Sequence, residues 1–123
     1  MTKFVYVFAW LALLSTAHAQ TFDPAPSYDV LEICKASVGG MEASVVGTAT
    51  IKSLSDTTYA VEWHMQGETL KGFGLRSNEV LAVAYNSGPA PGVAIYRING
   101  NILDGVFAIQ GTCSGTERLT PKK

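Results

Sequence analysis

The sequence predicts an all-β fold, in which eight antiparallel strands form a meander that closes into a small up-and-down barrel. Three observations predict it: apolar residues alternate with polar ones over short runs, turn-forming residues separate the runs, and several runs contain internal glycines. Alternation with a period of two is the pattern of a strand with one buried face. The chain has 123 residues, 47% apolar and 15% charged, which suits one domain with its own core.

The first 19 residues have the pattern of a secretory signal peptide. Lys3 provides a positive charge, residues 4–14 form an unbroken apolar run, and Ala17 and Ala19 are small residues at the expected cleavage site. A run of 11 residues is too short to cross a bilayer, which requires about 20, so we expect no membrane span. A secreted or periplasmic protein is therefore expected.

Charge and motifs exclude several classes of partner. Without residues 1–19 the chain keeps 8 basic and 10 acidic side chains, a net charge of −2. Nucleic-acid binding needs a basic surface, so we expect no nucleic-acid partner. The glycines at 72 and 74 are not followed by a helix that would complete a phosphate-binding loop, and we expect no cofactor.

The rest of the chain divides into a leader, one barrel domain and a short tail. Residues 20–27 contain two prolines and no periodicity, so they are expected to form an extended leader. The barrel domain is predicted over residues 28–120, and residues 121–123 form the tail. The predicted strands are Tyr28–Ala36, Ser44–Lys52, Thr58–Gln66, Thr69–Arg76, Val80–Tyr85, Val93–Ile98, Ile102–Gln110 and Thr116–Thr120.

Two of these strands, Leu81–Tyr85 and Val93–Ile98, are apolar on both faces. A sheet with one solvated side does not explain them, so we expect either a cover on their outer face or a surface for a partner. Internal glycines favour a closed barrel over a flat sheet, because they let strands bend and leave space for large side chains. These glycines are Gly47, Gly72, Gly74 and Gly105.

The two cysteines are predicted to form a disulfide. Cys34 lies in the first predicted strand and Cys113 just before the last, 79 residues apart. The first and last strands of a closed barrel are neighbours, so the two residues can approach each other. The compartments that exported proteins enter are oxidising, which favours formation of the disulfide. His64 is the one histidine after residue 19, too few for a structural zinc site, and we expect no metal.

No set of residues forms a catalytic pattern, so we expect no enzyme. Asp104 and Glu117 are candidates for a pair of catalytic carboxyl groups, but such residues more often face solvent or pair with Arg97 or Arg118. His64 and Glu62 share the polar face of one strand without a nucleophile that can be placed beside them.

Binding residues are expected among the aromatic side chains and in the longest connector, residues 86–92. Loops on a rigid scaffold often carry recognition, and the aromatics either pack the barrel or line a ligand cavity. The candidate binding residues are Trp63, Tyr85, Asn86, Pro89, Pro91 and Tyr96.

Several short sequence motifs between residues 59 and 119 resemble those of small exported bacterial proteins labelled fibronectin-binding. These motifs include Tyr-Ala-Val-Glu-Trp at 59–63, Leu-Ala-Val-Ala-Tyr at 81–85 and Gly-Val-Ala-Ile-Tyr-Arg-Ile at 92–98. Gly-Phe-Gly, Leu-Asp-Gly and Gly-Thr-Glu, starting at 72, 103 and 115, complete the set. The resemblance implies adhesion to a matrix protein such as fibronectin. In architecture the predicted fold is similar to lipocalin-like and avidin-like barrels.

The sequence thus predicts an exported, non-enzymatic binding module that recognises a protein or peptide through an apolar strand face and the 86–92 connector. One alternative is a small-molecule carrier that uses the barrel interior, which requires a cavity of roughly 300 Å³. Another is a periplasmic inhibitor that threads residues 20–27 into the cleft of a hydrolase. Self-association through the apolar face is compatible with the first hypothesis.

Overall fold

The computed structural model describes residues 21–123, and the predicted signal peptide at 1–19 lies outside them. The described chain is all β, and its eight strands close into an antiparallel barrel, which confirms the predicted fold. None of the described residues forms a helix of the length and apolar character that a membrane crossing requires. The strands are β1 (Tyr28–Ala36), β2 (Glu42–Ser53), β3 (Thr58–Met65), β4 (Glu68–Ser77), β5 (Val80–Ser87), β6 (Ala90–Asn99), β7 (Ile102–Ile109) and β8 (Cys113–Pro121).

Each strand pairs with the next one along the chain, and β8 returns to pair with β1. Closure leaves no unpaired sheet edge, because the backbone groups of both terminal strands meet each other. Tight turns join the strands, and residues with positive φ occupy them, including Asn78 and Gly100. Alternate residues therefore point into the barrel and out to solvent along every strand.

The expected long connector at residues 86–92 is wrong. β5 continues to Ser87 and β6 already begins at Ala90, with Asn86 opposite Pro91 in the ladder. The turn is reduced to Gly88, which has a φ of 58°, and Pro89. Pro91 lacks an N–H, but its carbonyl still accepts a hydrogen bond from the Gln110 amide at 3.0 Å, so the ladder persists.

One end of the barrel is closed by core side chains and by the leader. Phe22 is 9% exposed, and its ring lies 5.5 Å from the ring of Tyr59. The Ala25 amide donates a hydrogen bond of 2.8 Å to the Tyr28 hydroxyl, which fixes the leader against the first strand. Residues 21–27 are therefore part of the packed structure. The largest fully buried side chains of the core are Tyr28, Tyr59, Leu81, Tyr96, Leu103 and Leu119.

The internal glycines make room for large side chains, as predicted. A Cβ atom on Gly105 would lie 2.1 Å from the Ile95 carbonyl oxygen and 2.8 Å from a ring carbon of Tyr96. A Cβ atom on Gly72 would lie 3.0 Å from the Trp63 ring. These strands can therefore carry bulky aromatics into a narrow barrel because their neighbours have no side chain.

The predicted disulfide is present and lies at the seam where the barrel closes. Cys34 of β1 and Cys113 of β8 are joined, with their Cα atoms 5.7 Å apart. Their strands are hydrogen-bonded neighbours in the sheet, so the bond reinforces an existing contact. It lies at the end of the barrel opposite Phe22, and it is consistent with an oxidising compartment.

Candidate functional site

Two carboxyl groups meet inside the barrel. Glu32 of β1 and Glu117 of β8 are directly opposite each other in the ladder, and both side chains point inward. Glu117 is 4% exposed, and Glu32 is partly buried. Carboxyl groups in such a position are rare because burying a charge is costly unless it is paired and hydrogen-bonded.

Glu117 is held by hydrogen bonds from two strands. Its Oε1 atom accepts one of 2.9 Å from the Trp63 indole Nε1 and one of 2.6 Å from the Tyr96 hydroxyl. Gly105 lies between Tyr96 and Glu117 in the ladder, and Tyr96 crosses over it. The barrel interior is thus built to receive a negative charge at Glu117.

Glu32 carries the strongest perturbation of a carboxyl group in the site. The pKa of Glu32 is raised to about 7, chiefly by burial and, to a smaller extent, by the charge of Glu117 and the hydrogen bond with it. At neutral pH, Glu32 therefore holds a proton about half of the time and donates it to Glu117. Burial, followed by the charge of Glu117, also raises the pKa of Tyr96 and that of Tyr85, so both phenols stay protonated.

Trp63 and Tyr85 form an aromatic pair above the carboxyl groups. Their ring centroids are 5.0 Å apart and their planes are tilted by 50°. Glycines lie opposite Tyr85 on both neighbouring strands, at positions 72 and 92, and provide its space. Tyr85 is 8% exposed, and within residues 21–123 nothing forms a hydrogen bond with its hydroxyl. The Tyr85 hydroxyl is therefore accessible at this end of the barrel, where a ligand can form a hydrogen bond with it.

A cavity of about 190 Å³ opens at this end of the barrel, and we call it the mouth cavity. The carboxyl pair and both cysteines of the disulfide form part of its wall. Its volume is below the roughly 300 Å³ of a site for drug-sized ligands, so it suits a smaller molecule. The lining residues are Glu32, Cys34, Val45, Trp63, Met65, Gln66, Glu68, Leu70, Tyr85, Ser87, Ile109, Thr112, Cys113 and Glu117.

The disulfide determines which atoms of the mouth cavity could act as metal ligands. Ligand atoms of Glu32, Cys34 and Cys113 lie within 4.8 Å of one another. The two sulfur atoms are bonded to each other, so neither is a thiolate. Zinc sites use thiolates and imidazoles, and this donor set therefore does not fit a zinc ion in the oxidised protein.

The structure divides the six predicted binding residues into two groups. Trp63, Tyr85 and Tyr96 point inward and meet at the carboxyl pair. Asn86 and Pro91 are exposed next to the turn, where Pro89 is also exposed, and they take no part in the mouth cavity. The sequence analysis missed Glu32, although its position signals it. It follows Tyr28 and Val30 on the inward face of the first strand, where a charged residue breaks the apolar alternation.

The proposed pairing of Asp104 with Glu117 as two acids in one cleft is wrong. Adjacent strands place them one register step apart, so Asp104 points outward and Glu117 inward. Arg118 donates to Asp104 through two nitrogens, at 2.6 and 3.0 Å. The Arg118 hydrogen bonds hold the pKa of Asp104 below its usual range. The expectation that these acids face solvent or pair with Arg97 or Arg118 is met by Asp104, whose partner is Arg118.

His64 and Glu62 stand on the outer surface, away from the mouth cavity. The His64 Nε2 atom lies 3.4 Å from a Glu62 carboxylate oxygen, and both side chains are well exposed. The other ring nitrogen of His64 lies 3.1 Å from the Thr69 hydroxyl. These are surface contacts between exposed polar side chains, and such contacts have small energetic value.

The two-faced apolar strands present an uncovered surface, which we call the outer wall. Its residues are exposed and form two continuous rows across β4 to β7. Within residues 21–123 nothing packs over it. One row is Phe73, Ala84, Val93 and Ala108, and the other is Leu75, Ala82, Ile95 and Val106.

Two larger grooves flank Phe22 at the closed end, with volumes of about 390 and 430 Å³. They lie on the surface around Arg76 and lack a buried, unsatisfied polar group. The mouth cavity is smaller, but its groups converge from several strands, and it is therefore the stronger candidate for a functional site.

Fold and site together define a class: a small disulfide-closed β-barrel with an aromatic and acidic cavity at one end. Comparisons with protein-family models, with curated proteins and with solved structures find no match to this chain.

Proposed function

We propose that this chain is an exported, non-enzymatic binding protein that holds a small ligand in the mouth cavity. The observation that carries the proposal is the unpaired Tyr85 hydroxyl, which faces Glu32 and Glu117 in a space that is not filled by side chains. The signal-peptide pattern at residues 1–19 and the disulfide support export to the periplasm or beyond.

Binding is favoured over catalysis because of how the carboxyl groups are arranged. Glu32 and Glu117 contact each other, whereas carboxyl groups that cleave a glycosidic bond stand about 5 Å or more apart with the substrate between them. Contacting carboxyl dyads do occur in peptidases, but their substrates are far larger than a space of about 190 Å³. No serine, thiol or histidine among the described residues combines with the pair to form an activated nucleophile.

A pair of variants tests the proposal. Val45 points into the mouth cavity, and its neighbour Val46 points to solvent with 71% exposure. Val45→Phe fills the cavity with an aromatic ring, and Val46→Phe adds the same ring outside. A set of small amines, alcohols and acids is screened by ligand-observed NMR against the protein from residue 20 onward. We expect at least one compound to bind to the unmodified protein and to Val46→Phe, but not to Val45→Phe. Equal binding to both variants, or no binding at all, would overturn the proposal.

A second candidate function is recognition of a protein through the outer wall. The five larger side chains of the outer wall are each more than half exposed, so the outer wall presents an apolar surface on the order of several hundred Å², as the largest patches of monomers do. Standard interfaces bury about 800 Å² per partner, so this surface and its rim are sufficient for one.

The shape of the outer wall favours a second copy of this chain as the partner. Ala82 and Ala84 form a shallow groove on β5, and the larger side chains of β6 form a ridge beside it. A two-fold axis places the ridge of each copy in the groove of the other. Adhesion to a matrix protein such as fibronectin, implied by the resemblance, uses the same surface and stays a prediction.

Light scattering after size exclusion tests this second candidate. We expect a dimer that Ile95→Glu dissociates, because a charge would be buried without a partner. Val46→Glu, on the opposite side of the barrel, is the matched control and should stay dimeric. A monomer at concentrations of several hundred micromolar would overturn self-association and leave a different protein as the occupant.

A further inference from the structure

The charge of the mouth cavity indicates the class of its ligand. Three carboxyl groups line it, those of Glu32, Glu68 and Glu117. None of its described lining residues is Lys, Arg or His. An anionic ligand would enter a negative site without a cationic partner, so the lining favours a neutral or positively charged molecule.

The carboxyl pair of Glu32 and Glu117 favours a positively charged ligand over a neutral one. Glu117 already receives the Trp63 and Tyr96 hydrogen bonds, but Glu32 has Glu117 as its neighbour and, within residues 21–123, no Lys, Arg or His among the residues that line the cavity with it. Two carboxylates in contact need either a proton or a cation between them. A cation that enters from the mouth cavity takes the place of the proton.

The aromatic pair supplies the second, independent observation. Most of the Tyr85 side chain is buried, but its hydroxyl is accessible, forms no hydrogen bond within residues 21–123 and lies near both carboxyl groups, so it can accept a hydrogen bond from an ammonium N–H. Trp63 and Tyr85 both line the same space, and aromatic rings attract a cation through their π systems. Carboxylate, phenol and indole together match an organic ammonium ion.

The apolar part of the remaining lining, which also includes Gln66, Ser87 and Thr112, matches a short apolar chain on that ammonium ion. Val45, Met65, Leu70 and Ile109 contribute apolar atoms to the cavity wall. Benzene occupies a protein cavity of about 150 Å³, so a volume near 190 Å³ accommodates on the order of six to ten non-hydrogen atoms.

We propose that the mouth cavity binds a small organic cation, a primary or methylated ammonium group carrying a short apolar chain. This inference rests on the proposed function and specifies its ligand. An inorganic divalent cation fits less well, because calcium takes six to eight oxygen ligands and most of this lining is apolar, aromatic or sulfur.

The cation competes with the proton on Glu32, and binding is therefore pH-dependent. The ionisable groups that face Glu32 are Glu117 from β8, Tyr85 from β5 and Tyr96 from β6, with Glu68 of β4 at the rim. The phenols stay neutral, so Glu32 and its carboxyl neighbour govern the competition. With a Glu32 pKa of about 7, we expect the affinity for a cation to rise about tenfold from pH 6 to pH 8.

The probes for the test are n-butylammonium, 1-butanol and butyrate, which share a chain and differ in charge. The Trp63 indole N–H resonance reports binding to the protein from residue 20 onward, since that form has no other tryptophan. We expect n-butylammonium to bind at least tenfold more tightly than 1-butanol at pH 8, and butyrate to bind weakest. Calcium chloride serves as the inorganic control and should not displace n-butylammonium.

Three variants assign the effect to the site. Glu32→Gln should weaken n-butylammonium binding about tenfold and abolish its dependence on pH. Tyr85→Phe should weaken it about threefold. Glu62→Gln makes the same charge change on the outer surface and should leave the affinity unchanged. Thermal unfolding checks that each variant is folded.

Two failures of the test have different meanings. Equal affinity for n-butylammonium and 1-butanol, an unchanged affinity in Glu32→Gln, or displacement by calcium overturns the cation assignment, while the mouth cavity remains a ligand site. If Val45→Phe binds the screened compounds as well as Val46→Phe does, or if no compound binds to the unmodified protein, the proposed function itself is overturned.

Discussion

At the scale of single residues, the most informative feature is the partly buried carboxyl group of Glu32 inside the barrel. Glu117 is stabilised by Trp63 and Tyr96, but Glu32 lies beside it without a comparable set of donors. Stable cores do not need such a pair, since apolar residues of similar volume are often as stable or more stable. A cost of this kind in folding free energy is typical of positions that are kept for binding.

Stability should depend on pH through Glu32. Its pKa is raised to about 7 in the folded chain, from 4.5, so the folded state binds its proton more tightly than the unfolded state. The stabilisation is therefore complete below about pH 4.5 and is lost as the pH rises through 7, by about 3 kcal/mol in all. Chemical denaturation at pH 5 and pH 8 measures the difference.

The variant Glu32→Gln isolates this contribution, because the amide does not titrate. We expect it to reduce the loss of stability between pH 5 and pH 8 and to be more stable than the unmodified protein at pH 8. Glu62→Gln, on the exposed surface, should retain the full pH dependence. A variant Glu32→Gln with the same pH profile as the unmodified protein would contradict a buried, proton-binding Glu32.

At the scale of strands and turns, alternation predicted all eight elements, and the errors have a local cause. The strand ends near residues 86–92 were misplaced because glycine and proline favour turns in isolation. In the barrel, neighbouring strands supply hydrogen bonds that extend β5 and β6 through those residues. Tertiary pairing thus overrides local preference at strand ends.

Glycine at position 105 should be indispensable to strand β7. Gly105→Ala places a Cβ atom against the Ile95 carbonyl and the Tyr96 ring, neither of which can yield without moving the backbone or the Glu117 hydrogen bond. We expect a loss of about 3 kcal/mol in the free energy of unfolding, measured by urea denaturation.

Gly74→Ala is the matched control for Gly105→Ala. Its added Cβ atom meets the end of the Leu81 side chain at 3.1 Å, and that flexible group can rotate away. We expect a loss below about 1 kcal/mol. Equal losses in the two variants would show that glycine acts here through the unfolded chain and not through space for Tyr96.

At the scale of the whole molecule, the barrel is closed at one end and open at the other. Phe22 of the leader packs on the Tyr59 end, while the mouth cavity and the disulfide occupy the opposite end. Strands from the entire chain deliver groups to this open end, which is why neither half of the barrel contains the site alone.

Removal of the disulfide should reduce global stability without opening the ladder. The bond joins residues 79 apart, and in the chain-entropy interpretation such a cross-link contributes about 4 kcal/mol. We expect the double variant Cys34→Ala, Cys113→Ala to lose about this amount in urea denaturation and to keep its β-type circular dichroism, because β1 and β8 remain paired. A variant that is unfolded in buffer would show that the ladder cannot close the seam without sulfur.

The sequence alone determined the fold class. Period-two alternation and turn residues can be recognised from neighbouring residues, and the disulfide was predicted from the spacing of the two cysteines. The sequence also singled out Trp63, Tyr85 and Tyr96 as candidate binding residues. The partnership of Glu32 with Glu117 was decided by the register between β1 and β8, because a shift of one residue would have turned either side chain to solvent. Strand register and barrel closure exist only in the folded molecule. The acidic cavity therefore depends on the tertiary structure, because its residues come from several strands.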